Sequence, residues 1–259
     1  MSIDLRDKRV LVTGGTSGIG KAIVLQVAQA GADVAFCGLT DAGADEVQQA
    51  AAAHGRQVYF EALDLSNLES ARGFTERSID ALGGLDGVVN NAGANFKYGV
   101  LGSTFERIQA CMMLNFYAPW AIVQTAYPAL KASGRGRIVN ISSVHAIHTE
   151  PDTFPYNASK AALGALTHAL AHEWAADKIL AVTVAPGWVD TPILVPGFAQ
   201  HANPAAEKQR IEDSHLLGQM VQPDGVASFI VYLLSDANAA LTGNTIILDG
   251  GMHTVLTPR

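Results

Sequence analysis

Short runs of β-branched and aliphatic residues alternate along the chain with longer stretches of helical period. Strands are predicted at residues 9–13, 33–38, 57–62, 85–90, 137–141, 179–185 and 245–248. Helices are predicted at 18–30, near 44–54, near 68–82, from about 105 to 132 and at 156–175. Alternation of this kind builds βαβ units, and those units build a parallel sheet covered by helices on both faces. The rhythm breaks once, from residue 186 to about 217, where Pro192, Pro196, Gly197 and Pro204 interrupt any period. A long irregular stretch inside a compact domain is commonly functional. Residues from about 187 to 220 are therefore expected to form a lid over a site, a plain surface insertion being the alternative.

Composition narrows the class. The chain has 259 residues, enough for a full core without disulfides or metals. No repeat or low-complexity linker divides it, so a single domain over residues 1–259 is expected. Apolar residues make up 49% and charged residues 16%, which argues for a well-buried enzyme and against a disordered chain. A net charge of −7 leaves no basic footprint for a nucleic acid partner. Cys37 and Cys111 form no CxxC pair and are too few for a disulfide framework or a zinc site, which fits a reducing, cytoplasmic setting. Residues 1–9 are mixed and charged and carry no apolar signal core, and no apolar run is long enough to span a bilayer. A soluble protein with no membrane partner is expected.

Three motifs carry candidate chemistry. Thr13-Gly14-Gly15-Thr16-Ser17-Gly18-Ile19-Gly20 follows the first predicted strand and opens the first helix. Glycines there permit a tight turn and let a pyrophosphate approach backbone amides at a helix N-terminus, although glycines also serve ordinary turns. Asn90-Asn91-Ala92-Gly93 ends the fourth strand, on the side of an open α/β sheet where ligands bind. Its asparagines either brace the loop or hold a cofactor, and an ordinary Asn/Gly turn is the alternative. Tyr156 and Lys160 stand four apart on a predicted helix and so share a face. A fixed cation beside a phenol favours the phenolate and lowers its pKa from about 10, making tyrosine a usable acid or base. Ser142 and Ser143 end the strand just upstream and offer a hydroxyl for a substrate oxygen. Asn115 lies in mid-helix, where asparagine is disfavoured, which suggests a hydrogen-bonding role.

Together, from residue 8 to 251, these features resemble the short-chain dehydrogenase/reductase family. Gly14, Thr16, Ser17, Gly18, Ile19 and Gly20 match its cofactor turn, Asp64 and Leu65 its adenine-contacting pair, and Asn91, Ala92 and Gly93 its central-strand motif. Asn115, Ser143, Tyr156 and Lys160 match its catalytic tetrad, the thirteen-residue step to Tyr156 selecting Ser143 over Ser142. Pro186, Gly187, Val189 and Thr191 match the segment that closes on the nicotinamide, and Asp249-Gly250-Gly251 the C-terminal signature. The resemblance implies a Rossmann-like, doubly wound domain with a seven-stranded parallel sheet and a small helical lid. It also implies hydride transfer, without a metal, between NAD(P) and a secondary alcohol or ketone carbon of a small substrate: a sugar, a hydroxyacid or a 3-oxoacyl group. By the same likeness, the Tyr156 phenolate takes the alcohol proton and Ser143 holds the oxygen. Lys160 lowers the phenol's pKa and binds the nicotinamide ribose, and Asn115 holds a water that links Lys160 to solvent. A homotetramer pairing the helices near 105–132 and 155–176 is implied too.

Two positions depart from the family pattern. Gly38 stands where NAD-preferring members usually carry an aspartate, and neither Leu39 nor the glycine turn supplies the basic residue that NADP-preferring members usually carry there. No Lys or Arg occurs between Val34 and Ala53, and a 2′-phosphate needs a cationic partner, so NAD is favoured over NADP. Leu180-Ala181-Val182 replaces a frequent Arg-Val-Asn, with no functional account. Among other residues, His145 and His148 are candidates for a substrate pocket, and Phe96, Tyr98, Trp188 and Phe198 for its apolar wall or for ordinary core. His168 and His172 read as helix-face or subunit-contact residues and Cys37 as a buried strand residue. Two other functions stay open: a dehydratase or epimerase that retains its cofactor, and a dinucleotide-binding sensor.

Overall fold

The structure, a computed structural model, describes residues 3–254. Both ends of the expected 1–259 span, and the first two residues of the charged N-terminus, lie outside the described residues. Seven strands are present: β1 (Arg9–Val12), β2 (Asp33–Gly38), β3 (Val58–Ala62), β4 (Gly87–Asn90), β5 (Arg137–Ile141), β6 (Leu180–Pro186) and β7 (Asn244–Leu248). They form one sheet in the order β3-β2-β1-β4-β5-β6-β7, every neighbouring pair parallel. The helices in chain order are α1 (Gly18–Gln29), α2 (Ala44–Ala52), α3 (Leu68–Leu82), α4 (Gly99–Gly102), α5 (Phe105–Met112), α6 (Ala118–Ser133) and α7 (Tyr156–Trp174). After β6 come α8 (Val195–Phe198), α9 (Pro204–Asp213) and α10 (Pro223–Leu234).

Side chains of a strand point alternately to its two faces, and both faces here are covered. Val10 and Val12 of β1 enter a core with Ile23, Val24 and Val27 of α1 and Val226 and Ile230 of α10. Leu11 points the other way, into a core with Phe74 of α3, Ile122 and Leu130 of α6 and Leu170 of α7. The doubly wound, Rossmann-like architecture follows from these two faces. The direction in which successive strands are added to the sheet reverses between β1 and β4, and that switch opens a crevice at the strands' carboxyl ends.

Two expectations change. The long helix predicted from 105 to 132 is interrupted: α5 and α6 are joined by a π-helical turn, Met113–Tyr117. Pro119 explains the break, because it has no N–H to donate to the Asn115 carbonyl four residues back and its ring crowds that carbonyl. The stretch from 186 to 217, read as aperiodic, contains a 3-10 turn (Pro192–Leu194), α8 and α9. Helix α9 buries only Ile211, so it has almost no apolar face for a period to mark. The segment leaves and rejoins the body at one place, where the Asp190 N–H donates to the Val221 carbonyl and the Val221 N–H to the Trp188 carbonyl, each at 2.9 Å. Helix α10 is missing from the sequence reading altogether. Its VASFIVYLL run is nearly all apolar because it is packed against both α1 and the sheet, which hides the helical period.

Candidate active site

The glycine turn after β1 is closed by two requirements. Gly14 has a φ of +67°, a backbone region that side chains disfavour. A Cβ on Gly20 would fall 1.9 Å from the Gly14 carbonyl oxygen, so α1 can start this close to the strand only with glycine there. Ser17, the residue before α1, makes no side-chain cap, and the first turn holds no acidic residue. The first N–H groups of the helix and its positive dipole end are therefore left to serve an anion. Asn91 locks the turn from β4: its Nδ2 donates to the carbonyls of Thr13 (2.9 Å) and Gly14 (3.1 Å). The Thr13 hydroxyl in return accepts the N–H groups of Asn91 (3.0 Å) and Ala92 (2.9 Å). Of the two roles open to Asn91, bracing the loop is visible.

A buried polar ladder ties the strands to α7. Asn90 Nδ2 donates to Asn140 Oδ1 (2.8 Å), Asn140 Nδ2 donates to Thr167 Oγ1 (2.8 Å), and Thr167 meets the Thr183 hydroxyl at 2.6 Å. Two further bonds hold the first turns of α7. Ser142 Oγ donates to the Lys160 carbonyl (2.8 Å), and the Tyr156 N–H donates to the Phe96 carbonyl (3.2 Å). The two serines thus divide the work. Ser142 is committed to the helix, while Ser143 stands beside the Tyr156 phenol and accepts the His145 N–H (3.2 Å).

Lys160 is buried, and its Nζ donates to the Ile141 carbonyl (2.9 Å) and lies 5.8 Å from the centre of the Tyr156 ring. Burial pushes its ammonium down to about 8. The phenol of Tyr156 is raised by burial, with the Ser143 hydroxyl pulling the other way. The ammonium sits beside the ring, already bonded to a carbonyl and itself desolvated, and Ser143 is the group that favours the phenolate. Asn115 is fully buried in the π turn: its Oδ1 accepts the Ala94 N–H (3.0 Å), and its Nδ2 donates to the Ala94 carbonyl and to Ser159 Oγ, both at 3.1 Å. A Cβ on Gly93 would lie 3.1 Å from both Asn115 Oδ1 and Lys160 Nζ, so these two groups converge behind that glycine.

These parts enclose a cleft of about 860 Å³, within the ~300–1,000 Å³ range of ligand pockets. Gly14, Thr16, Ser17, Gly18, Ile19, Gly20, Gly38, Asp64, Leu65, Asn91, Ala92, Gly93, Pro186, Gly187, Val189 and Thr191 all line it, together with Ser143, Tyr156 and Lys160. Of the catalytic and cofactor-contact candidates Asn115 alone stands behind the wall, and Tyr98 and Phe198, candidates for the apolar wall, are not among the lining residues. His145, Phe96 and Trp188 line the cleft as well, whereas His148 stacks on His253 with ring centres 6.0 Å apart. Lys97, Glu106, Gln109, Met113 and Ile193 also line it and were passed over in the sequence. They lie on connections and at helix edges with no motif to mark them. Among the described residues, no three His, Cys, Asp or Glu side chains gather as a metal-binding group. No helix among them is long and apolar enough to cross a membrane.

A family model described as enoyl-(acyl carrier protein) reductase matches residues 14–253. The chain belongs to the short-chain dehydrogenase/reductase family. As a member, it is an NAD(P)-dependent oxidoreductase acting between alcohols and ketones. It is 34% identical to a tropinone reductase homolog of Datura stramonium, over 95% of this chain and 92% of that one. It is 31% identical to a D-beta-hydroxybutyrate dehydrogenase of Cupriavidus necator, over 95% and 98%. The crystal structure of a 3-oxoacyl (acyl-carrier-protein) reductase from Agrobacterium tumefaciens C58, with NADP bound, superimposes with a TM-score of 0.89 at 31% identity, covering 95% of each chain.

Proposed function

We propose that this short-chain dehydrogenase/reductase oxidises a secondary alcohol of a small substrate, or reduces the matching ketone, with Tyr156 as the proton-transferring residue. One observation carries the reading. The Tyr156 phenol faces the same cleft as the uncapped start of α1, with the Ser143 hydroxyl beside it and buried Lys160 one turn further along α7. The glycine turn fits a dinucleotide, since the start of α1 carries no side-chain cap and glycine at Gly20 lets the helix begin against the Gly14 carbonyl. Gly14, Thr16, Ser17, Gly18, Ile19 and Gly20 would hold the pyrophosphate, Asp64 and Leu65 the adenine, and Pro186, Gly187, Val189 and Thr191 the nicotinamide end. When bound, the nicotinamide supplies the hydride acceptor or donor.

In oxidation the Tyr156 phenolate accepts the alcohol proton. Ser143 donates to the same oxygen and holds it at the phenol. Lys160, with a pKa of about 8, is mostly charged at neutral pH, and it stabilises negative charge in the buried site as the proton moves. Asn115 fixes the loop after β4 against α7, through Ala94 and Ser159, and so keeps Lys160 in place. The segment near 187–220 serves as the substrate lid. NAD is the proposed cofactor. The cleft's lysines, Lys97 and Lys160, stand at the Tyr156 end, while Gly38 and exposed Leu39 offer a 2′-phosphate no cation. Exposed Phe105, Tyr117 and Trp120 on the 105–132 segment support a homotetramer, and two free, buried cysteines support a reducing, cytoplasmic setting.

The test is turnover of secondary alcohols, sugars and ketones with NAD and NADP separately, followed by nicotinamide absorbance, beside Tyr156→Phe. Loss of kcat by about 10²–10⁴-fold with cofactor affinity retained is expected. Unchanged turnover in Tyr156→Phe would remove the assignment.

A further inference from the structure

Three side chains beside Tyr156 are not used by proton or hydride transfer. Residues 96–98 run antiparallel to 154–156, with the Tyr98 N–H donating to the Phe154 carbonyl (3.0 Å) and Lys97 bridging Pro155. Lys97 is thereby anchored next to the residue that receives the Tyr156 N–H. Its ammonium lies 5.4 Å from the centre of the Trp188 ring and forms no ion pair among the described residues. His145 also meets that indole, edge-on, with ring centres 6.4 Å apart, and it meets the Tyr156 ring at 6.1 Å.

The tautomer of His145 follows from its surroundings. Its Nδ1 is sealed in protein with no hydrogen-bond partner. A proton there would be a buried donor without an acceptor, at a cost of about 1–3 kcal/mol. The proton therefore belongs on Nε2, the ring nitrogen that is not sealed, in a side chain that lines the cleft. Burial and the Lys97 charge hold the imidazole below its usual range against an opposing pull from Glu150, so the ring is a neutral donor at neutral pH.

The other charges lining the cleft are accounted for. Lys160 bonds Ile141, and Asp64 accepts the Ser66 N–H (2.8 Å) at the glycine-turn end. Glu106 is held ionised by the backbone and Thr104 at the start of α5. What remains near the phenol is a cation and a neutral donor, both without acceptors, beside a flat apolar ring. A carboxylate accepts from both at once, and its carbon chain can lie on the indole.

We infer that Lys97, His145 and Trp188 form a carboxylate subsite, and that the substrate is a small hydroxy acid or the matching oxo acid. This inference rests on the Tyr156 reading above and narrows it. In oxidation the alcohol carbon gives up a hydride to oxidised nicotinamide dinucleotide and its hydroxyl proton to Tyr156, leaving the oxo acid; the carboxylate is unchanged.

The probes are 2- and 3-hydroxybutanoate, their methyl esters, 2-butanol and galactose, each with NAD and with NADP. For the parent, kcat/KM for one of the acids exceeds that for its ester by about tenfold or more. Lys97→Met lowers the acid-to-ester ratio by about ten- to a hundredfold, mainly through KM, as expected for a lost hydrogen bond to a charged group. His145→Phe lowers the ratio too, and Lys97→Arg keeps it. A purely structural role would reduce acid and ester alike and leave the ratio in place. Esters turned over as well as acids, or a ratio unmoved in Lys97→Met, would overturn the subsite while leaving the oxidoreductase intact. Cofactor binding with no turnover of any probe would overturn both.

Discussion

The two ends of the parallel sheet are built on opposite rules. At the amino ends of the strands, charges meet partners. Lys8 pairs with Asp236 (2.6 Å), Asp33 with Arg56 (3.1 Å), and Asp86, fully buried, with both Arg9 (2.8 Å) and Arg135 (2.9 Å). At the carboxyl ends, polar groups are left waiting: the uncapped start of α1, the raised phenol of Tyr156, the unpaired ammonium of Lys97 and the open Nε2 of His145. The same strands supply both ends. The lesson is that stability is concentrated where groups are satisfied, and binding capacity where they are not.

Substitutions at each end sharpen that contrast. The largest expected effect on stability comes from Asp86→Asn, which leaves two arginines without their shared carboxylate. Their partial exposure limits the loss to about 3 kcal/mol, with Tm falling by roughly 6–12 °C and kcat/KM at 25 °C unchanged. Its pH signature follows from sign. Burial raises the Asp86 carboxyl, but Arg9 and Arg135 outweigh burial and hold it below the usual range. That stabilisation is complete above the unfolded pKa of about 3.9 and is lost as pH falls through the folded value. Acid unfolding curves of the parent should therefore steepen below pH ~4 relative to Asp86→Asn; parallel curves would remove the ion pair from the account.

Between the two ends lies the polar ladder. Thr167→Val strips the acceptor from Asn140 and should cost about 2 kcal/mol in denaturant unfolding. The same change loosens α7, so kcat falls a few-fold while cofactor affinity holds. A stability loss with kcat untouched would show that the ladder does not position Tyr156.

The smallest effect on global stability is expected in the lid. Asn203 caps α9 by accepting the Ala206 N–H (3.1 Å), and Asn203→Ala should cost about 1 kcal/mol locally. Hydrogen exchange across 204–213 should quicken, Tm should move by no more than roughly 2 °C, and KM should rise. An equal drop in Tm and in local protection would mean that the lid unfolds together with the body.

Much of this was legible in the chain. The seven strands fall where the β-branched runs predict them, because strands covered on both faces need apolar residues at nearly every position. The glycine turn was readable because only glycine tolerates the approach at Gly20. Signals failed where the environment hides the period: α10 is apolar almost all round and α9 polar almost all round, so neither shows a clear stripe. The Pro204 and Asn203 pair at the start of α9 was a usable helix signal nonetheless.

By itself the sequence determined the family, the sheet, the glycine turn and the ordered set Asn115, Ser143, Tyr156 and Lys160, since each depends on local spacing and residue type. Only the tertiary structure decided how those residues are charged and which others join them. It set Lys160 against the Ile141 carbonyl and let burial raise the phenol of Tyr156 against the pull of Ser143. It opened a π turn at Asn115 and brought Lys97, His145 and Trp188 from three separate connections to one wall. Desolvation and pairing depend on what surrounds a group in space, and neighbours distant in sequence leave no periodic trace along the chain.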